Sequence, residues 1–436
     1  MSSSFKVIIA GGSLVGLGLA LCFERAGIDY VLLEKGEIGP QLGASIGIHP
    51  HTIRILEQLG VWKDIEGVVT PLLYRQHFDE NGKCFEDSKV LSEIKERAKR
   101  PIIFMERCEE LRILYSHVKD KSKIHAHTAV ESYDETDEGV TVTTSNGESF
   151  SGSILIGADG IHSRVRTLMA DQISKTRPDL ATELKEGFAA EYKCIFAVSR
   201  NGTPEAPLMP DGTVHNVYYD YYSAVSATGV PGLVFWFLFV KMGSVTRTPH
   251  CPRFSEADME ALIGTHGHNH LGPTYTIKQL WDARVKASMV PLEEGVLKKW
   301  SHGRVVLLGD SIHKATVNPG LGGNLAYEGI AHLTNRLVPL LRSAAAPPSA
   351  AQLTELFDSF DAAHRPRAET VVKLSGTITR YEAQDTWWLK GASRWVVPWV
   401  SDARKADAYV GFSNGGPRLE WLPDPDGETA AGEARL

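Results

Sequence analysis

Three glycine-rich turns hold most of the residues in this 436-residue chain whose types and spacing could do chemistry. In the first, Gly11-Gly12-Ser13-Leu14-Val15-Gly16, Gly11 permits a tight turn and Gly16 lets a helix pack closely on a strand. The backbone N–H groups between them, at the start of a helix, suit a pyrophosphate. Glu34 ends the next apolar stretch. A carboxylate there accepts hydrogen bonds from both ribose hydroxyls and disfavours a 2′-phosphate. The second turn, Gly157 to Arg166, carries Asp159, Gly160 and Ser163. It reads either as another phosphate-facing turn or as an ordinary capped strand-to-helix turn. The third joins Asp310 to Gly320, Gly322, Gly323 and Asn324. A carboxylate at a strand end can hold polyol hydroxyls, and a helix N-terminus beyond the glycines can stabilise negative charge on a bound ring.

Strands must deliver these turns and helices must receive them. Lys6–Ala10 reads as a buried strand, Leu14–Ala26 as a helix stopped by Gly27, and Tyr30–Glu34 as a second strand. A strand–helix–strand start means a parallel, doubly wound sheet. Thr52–Leu59 reads as a short helix, Val140–Thr144, Ser153–Gly157 and Val305–Leu308 as strands, and Asn324–Leu341 as a long helix. Three aromatic, β-rich runs, Glu191–Ser199, Thr213–Ser226 and Gly232–Val240, predict an inserted antiparallel sheet. The expected fold is therefore α/β. A Rossmann-like domain takes residues 1–75, 100–172 and 285–345, and an inserted sheet domain takes 76–99 and 173–284. A helical region follows over 346–422, with a disordered tail over 423–436.

Composition narrows the function. Lys and Arg number 46 against 53 Asp and Glu, a net charge of −7, which lacks the basic footprint of a nucleic-acid binder. The cysteines, Cys22, Cys84, Cys108, Cys194 and Cys251, are scattered and form no CxxC pair. A disulfide framework or metal site is not expected, and a reducing, cytoplasmic setting fits. The apolar run Val7–Phe23 is broken by glycines and ends in Glu24-Arg25, so it reads as strand and helix rather than as a leader or anchor.

The three turns, in this order and spacing, resemble those of flavoprotein monooxygenases of the hydroxybenzoate hydroxylase type. Met105-Glu106-Arg107, the aromatic stretch Asn216–Ser223, Trp236 and the run from Glu294 to Lys314 are similar to a fungal subgroup. That subgroup contains indole-diterpene and meroterpenoid epoxidases and spirooxindole-forming indole monooxygenases. The resemblance implies FAD as cofactor. Gly11, Ser13, Gly16 and Glu34, with Lys35 beside it, would meet the ADP half. Arg107 and Asp310 would reach the pyrophosphate–ribityl region, and Asp159 and Gly160 would sit where FAD and NADPH contacts meet. The backbone of Gly320, Gly322, Gly323 and Asn324 would cradle the ring edge, with the loop of Gly43, Ala44 and Gly47 passing beside it. Two positions depart from the subgroup: Val317 stands where it has proline, with Pro319 two residues later, and Leu321 replaces glutamine.

The expected activity is oxygen insertion. NADPH or NADH docks transiently and reduces FAD, O2 gives a flavin C4a-hydroperoxide, and an electron-rich indole, aromatic or alkene of a fungal secondary metabolite is epoxidised or hydroxylated. A rearrangement such as spirooxindole formation could follow. The hydrophobic small-molecule substrate would lie against Tyr218, Tyr219, Tyr221, Tyr222 and Trp236. Two polar side chains are candidate catalytic helpers. Lys193, on a strand, would act as an acid toward an epoxide oxygen, and His49 follows the loop beside the ring. The plainer readings are a solvent-facing lysine and a structural histidine. His266, His268 and His270 read as a solvated loop rather than a metal site. Trp387–Val400 reads as packing of a C-terminal helix, with contact to a membrane surface as the other reading. A monomer or weak dimer without membrane insertion is expected. The rival functions are a flavin-dependent halogenase, whose Trp-x-Trp-x-Ile motif is absent, and a non-catalytic FAD-binding protein.

Overall fold

A computed structural model describes residues 5–39, 45–344 and 346–427. Lys6–Ala10 is buried nearly throughout, as a central parallel strand must be. It pairs in parallel with Asp29–Leu33 on one side and Ile154–Gly157 on the other. The sheet continues outward to Ile124–His125 beyond one neighbour and to Val305–Leu307 and Ser301–His302 beyond the other. The helix Leu14–Ala26 makes the first crossover and stops at Gly27, whose φ of 70° lies in the left-handed region. The expected doubly wound domain is thus present.

The inserted domain is an eight-stranded sheet, antiparallel except where Thr213–Tyr218 runs parallel to Tyr74–Phe78. Its centre is Ala189–Arg200 between Leu233–Arg247 and Arg284–Val296. The middle aromatic run is a hairpin, Thr213–Tyr218 and Tyr222–Ala227, because Tyr221 at φ 69° turns the chain back. Arg284–Val296, expected from residue 285 onward in the Rossmann-like domain, is instead a strand of this larger sheet.

The sheet has two apolar faces. One gathers Tyr192, Cys194, Val198, Phe235, Phe237 and Phe239, with Phe104, Phe196 and Val317 against them. The other gathers Ile195, Ala197, Trp236 and Leu238 under the helices Glu256–His266 and Ile277–Asp282.

The C-terminal region is helical, as expected, and leads with the 33-residue helix Ala350–Glu382. Asp402–Asn414 follows, and the chain then returns to the first domain. Arg54 donates to the Gly416 carbonyl at 2.7 Å, and Gln58 to those of Leu419 and Pro423 at 2.9 and 3.0 Å. Of the tail expected to be disordered over 423–436, Asp426 instead accepts from Arg100 at 2.7 Å, and residues 428–436 lie outside the described residues.

Candidate cofactor and active site

The three turns meet. A Cβ on Gly11, at φ 111°, would lie 2.4 Å from the Ala158 carbonyl oxygen, so the first turn rests on the second. A Cβ on Gly309 would lie 2.7 Å from Val15, so the third turn rests on the first. Ser311 donates to the Gly157 carbonyl at 2.8 Å, and Arg166 donates to the Ser311 carbonyl at 2.9 Å, tying second to third. Gly16 is the tightest contact, since a Cβ there would sit 1.8 Å from the Gly11 oxygen.

Two helix N-termini open side by side. Neither Leu14–Ala26 nor Gly322–Ser343 has a side-chain cap, and an added Cβ on Gly323 would be 3.9 Å from Leu14. Their first N–H groups are therefore available to an anion. Arg107 adds a guanidinium beside them, donating to Ser13 Oγ at 2.8 Å. The helix that carries Arg107, Arg107–His117, is fixed by buried Glu110, which accepts from Tyr327 Oη at 2.9 Å. Burial raises the Glu110 carboxyl to about 7.

Glu34 is oriented by backbone: Oε2 accepts from Gly12 N–H at 2.6 Å and Oε1 from Gly36 N–H at 2.8 Å. Asp310 pairs with Lys314. Burial pushes the Asp310 carboxyl up, but Lys314, Arg107 and His313 more than offset this and hold it low. The donor set therefore fits a dinucleotide with an anionic linker and a polyol. Space also fits, since a Cβ on Gly160 or Gly322 would meet nothing within 4 Å.

A second cluster faces the sheet domain. A Cβ on Gly47 would lie 3.4 Å from Phe104 and 3.6 Å from Gly320, so the loop strand, the third turn and an aromatic ring meet here. Phe104 in turn packs edge-on against Phe235 and Phe237, at centroid distances of 5.4 and 5.7 Å. The segment Thr316–Gly320 between these groups is gripped from the C-terminal helices. Thr379 donates to Asn318 Oδ1 at 2.7 Å, and Asn318 donates to Glu382 at 2.7 Å. Buried Glu382 also accepts from Asn216 at 2.9 Å and Arg75 at 3.3 Å. On the other side His49 meets Tyr409 Oη through Nδ1 and the Pro319 backbone. Asn324 Oδ1 accepts from the His49 N–H at 2.9 Å. Burial lowers the His49 imidazole to about 4.

A family model described as FAD binding domain matches residues 4–185 and 256–375. The FAD-dependent monooxygenase ptmM of Penicillium ochrochloron is 37% identical over 96% of this chain and 98% of its own length. This chain belongs to the FAD-dependent monooxygenases. The FAD-dependent monooxygenase andE of Emericella variicolor is 36% identical over 97% of this chain and 89% of its own. Among solved structures, Klebsiella pneumoniae HpxO complexed with FAD and uric acid has a TM-score of 0.76 at 20% identity. It covers 96% of this chain and 98% of that one, which gives the hydroxybenzoate hydroxylase-type fold.

The structure of this monooxygenase brings together Gly11, Ser13, Gly16, Glu34, Arg107, Asp310, Gly320, Gly322, Gly323, Asn324 and His49. Lys35 is exposed beside Glu34, and Gly43 and Ala44 lie outside the described residues. Asp159 is engaged within its own turn, accepting from Ser163 Oγ at 2.5 Å and from the N–H groups of Arg164 and Val165 at 2.7 and 3.1 Å. The capped-turn reading therefore describes its carboxylate. Lys193 does not join the site. It alternates with Tyr192 and Cys194 and lies over the Phe254 ring on the opposite face of the sheet. Trp236 is corrected for the same reason: it donates to Ser199 at 2.8 Å and packs on Trp281 behind the sheet. Tyr219 and Tyr222 stack on each other and toward His266 on that side too. The residues missed in sequence are Phe104, Phe235, Phe237, Thr379, Glu382 and Tyr409. Strand alternation alone could have assigned Phe235 and Phe237 to the face opposite Trp236.

Proposed function

We propose that this monooxygenase uses NAD(P)H and O2 to insert one oxygen atom into an electron-rich indole, aromatic ring or alkene of a bulky fungal secondary metabolite. The outcome is epoxidation or hydroxylation. The observation that carries this reading is the aromatic face of Phe104, Phe196, Phe235 and Phe237 beside Gly47 and Gly320. The fungal relatives named above support the metabolite class.

The chemistry FAD supplies when bound is acceptance of hydride and activation of oxygen. For the chain's own part, we assign Ser13, Gly16 and Glu34 to the ADP half, and Arg107 and Asp310 to the pyrophosphate–ribityl region. Gly320 to Asn324 would hold the ring edge. There the uncapped N-terminus of Gly322–Ser343 favours negative charge. The phenylalanine face excludes water and receives an apolar substrate. His49, neutral near pH 7, positions Pro319 and Tyr409 rather than moving a proton. The test is incubation of purified enzyme with NADPH, candidate indoles and isoprenoids, and ¹⁸O2. A product heavier by one labelled oxygen is expected, and label arriving from water would overturn the reading.

A further inference from the structure

Four tryptophans stand in solvent at one place. Trp387, Trp388, Trp395 and Trp399 are 87%, 55%, 74% and 85% exposed, and Val396 and Val400 extend the patch. Among the described residues no other tryptophan is exposed; Trp62, Trp236, Trp281 and Trp300 are all buried. The patch lies on the helix Trp387–Trp395 and the turn Val397–Trp399. The helix buries Leu389 and Ser393 against the body. At 3.6 residues per turn, Trp387, Gly391 and Trp395 fall on the face opposite those two. This amphipathic helix therefore turns its aromatic side outward. Burying these rings would stabilise the protein, so leaving them in water calls for an occupant.

We infer that this patch seats the enzyme on the lipid–water interface of an electrically neutral bilayer. Charge favours that surface. Three of the four cations on its rim are already paired: Lys390 with Asp220 at 2.7 Å, Arg394 with Glu80 at 2.7 Å, and Lys405 with Glu86, which leaves exposed Arg404 as the one rim cation without an ion pair among the described residues. Little net charge is left to recruit an anionic partner or to be repelled by a zwitterionic headgroup layer. Size argues against a protein occupant. A stable specific protein interface uses about 20–30 residues a side, whereas this patch is six side chains on one short segment. A bilayer sets no such minimum, and the indole, apolar with one N–H, suits the headgroup boundary. The seat is peripheral, because among the described residues no helix is long and apolar enough to cross a membrane. The patch follows within a few residues of Glu382, which grips the loop beside the aromatic face. The inference does not depend on which molecule is oxygenated.

The test is flotation of the FAD-loaded full-length enzyme with phosphatidylcholine vesicles at 0.15 and 1 M salt. These concentrations are about physiological ionic strength and a strongly screening one. Co-flotation at both salts is expected, with tryptophan emission quenched by brominated phosphatidylcholine. The triple variant Trp387→Ala/Trp395→Ala/Trp399→Ala should lose about tenfold or more in vesicle partition, as loss of this much apolar area requires. It should keep its flavin absorbance. Three results would overturn the inference. One is no flotation and no bromolipid quenching of the wild-type enzyme. Another is binding confined to phosphatidylserine vesicles and abolished by salt. The third is a wild-type dimer that the triple variant turns into a monomer, which would make the patch an interface between copies.

Discussion

The two halves of the site are built by different means. The half assigned above to the adenine side rests mainly on backbone: glycines at Gly11, Gly16 and Gly309 allow close approach, and the uncapped helix N-terminus at Leu14 leaves N–H groups free. The ring-side half is side chains: Thr379, Glu382, His49 and Tyr409 hold a short loop that has no helical or sheet ladder of its own. A backbone cradle tolerates no added atom, whereas a side-chain grip can be loosened by degrees. The glycines of the first half should therefore fail completely when given a side chain, and the side chains of the second should fail gradually.

The largest effect should come from Gly16→Ala. Its Cβ would overlap the Gly11 oxygen at 1.8 Å, so the variant should yield no FAD-loaded protein when flavin absorbance is measured after purification. Glu382→Ala comes next. Removing its carboxylate leaves the Asn216 and Asn318 amides without their acceptor, at about 1–3 kcal/mol. The variant should melt earlier yet keep FAD, and a larger share of its NAD(P)H oxidation should end as hydrogen peroxide. If Glu382→Ala instead loses FAD outright, the two halves are not separable.

Acid should act through the buried histidines, of which His49 lies beside the loop at Pro319. Burial lowers His49 and His313 to about 4, while an unfolded histidine titrates near 6.5. As pH falls between those values the unfolded state takes up protons that the folded state refuses, so stability falls with pH. A melting temperature that declines from about pH 6.5 to 4 is expected, and a flat profile would count against neutral burial.

Glu34→Ala should weaken FAD binding about tenfold, the scale of a hydrogen bond to a charged group. Titration of apoprotein with FAD would measure it. Lys193→Met should change turnover less than about twofold, as expected of a residue outside the site. A large loss there would return Lys193 to catalysis.

The contrast also explains what could be read in advance. Gly11, Gly16, Glu34 and Asp310 announce themselves because backbone chemistry forces particular residue types at short spacing. Glu382 and Tyr409 do not. Their partners Asn318 and His49 lie far away in the chain, and no local pattern marks a glutamate near the end of a long helix as buried. Lys193 and Trp236 face away from the site for a different reason. A strand shows two faces, and only the packing of helices Glu256–His266 and Ile277–Asp282 decides which is covered.

The return of the C-terminal chain to His49 and Arg54 bears on how the enzyme is made. A polypeptide emerges from the ribosome N-terminus first, and its early elements can pair before its late ones exist. The three nucleotide turns are complete once Asn324 has emerged, but the loop beside them lacks Glu382 and Tyr409 until much later. A nascent or C-terminally clipped chain would then hold its coenzyme with the oxygen side unguarded. Residues translated well after the nucleotide turns thus complete the hold on the loop at Asn318 and His49.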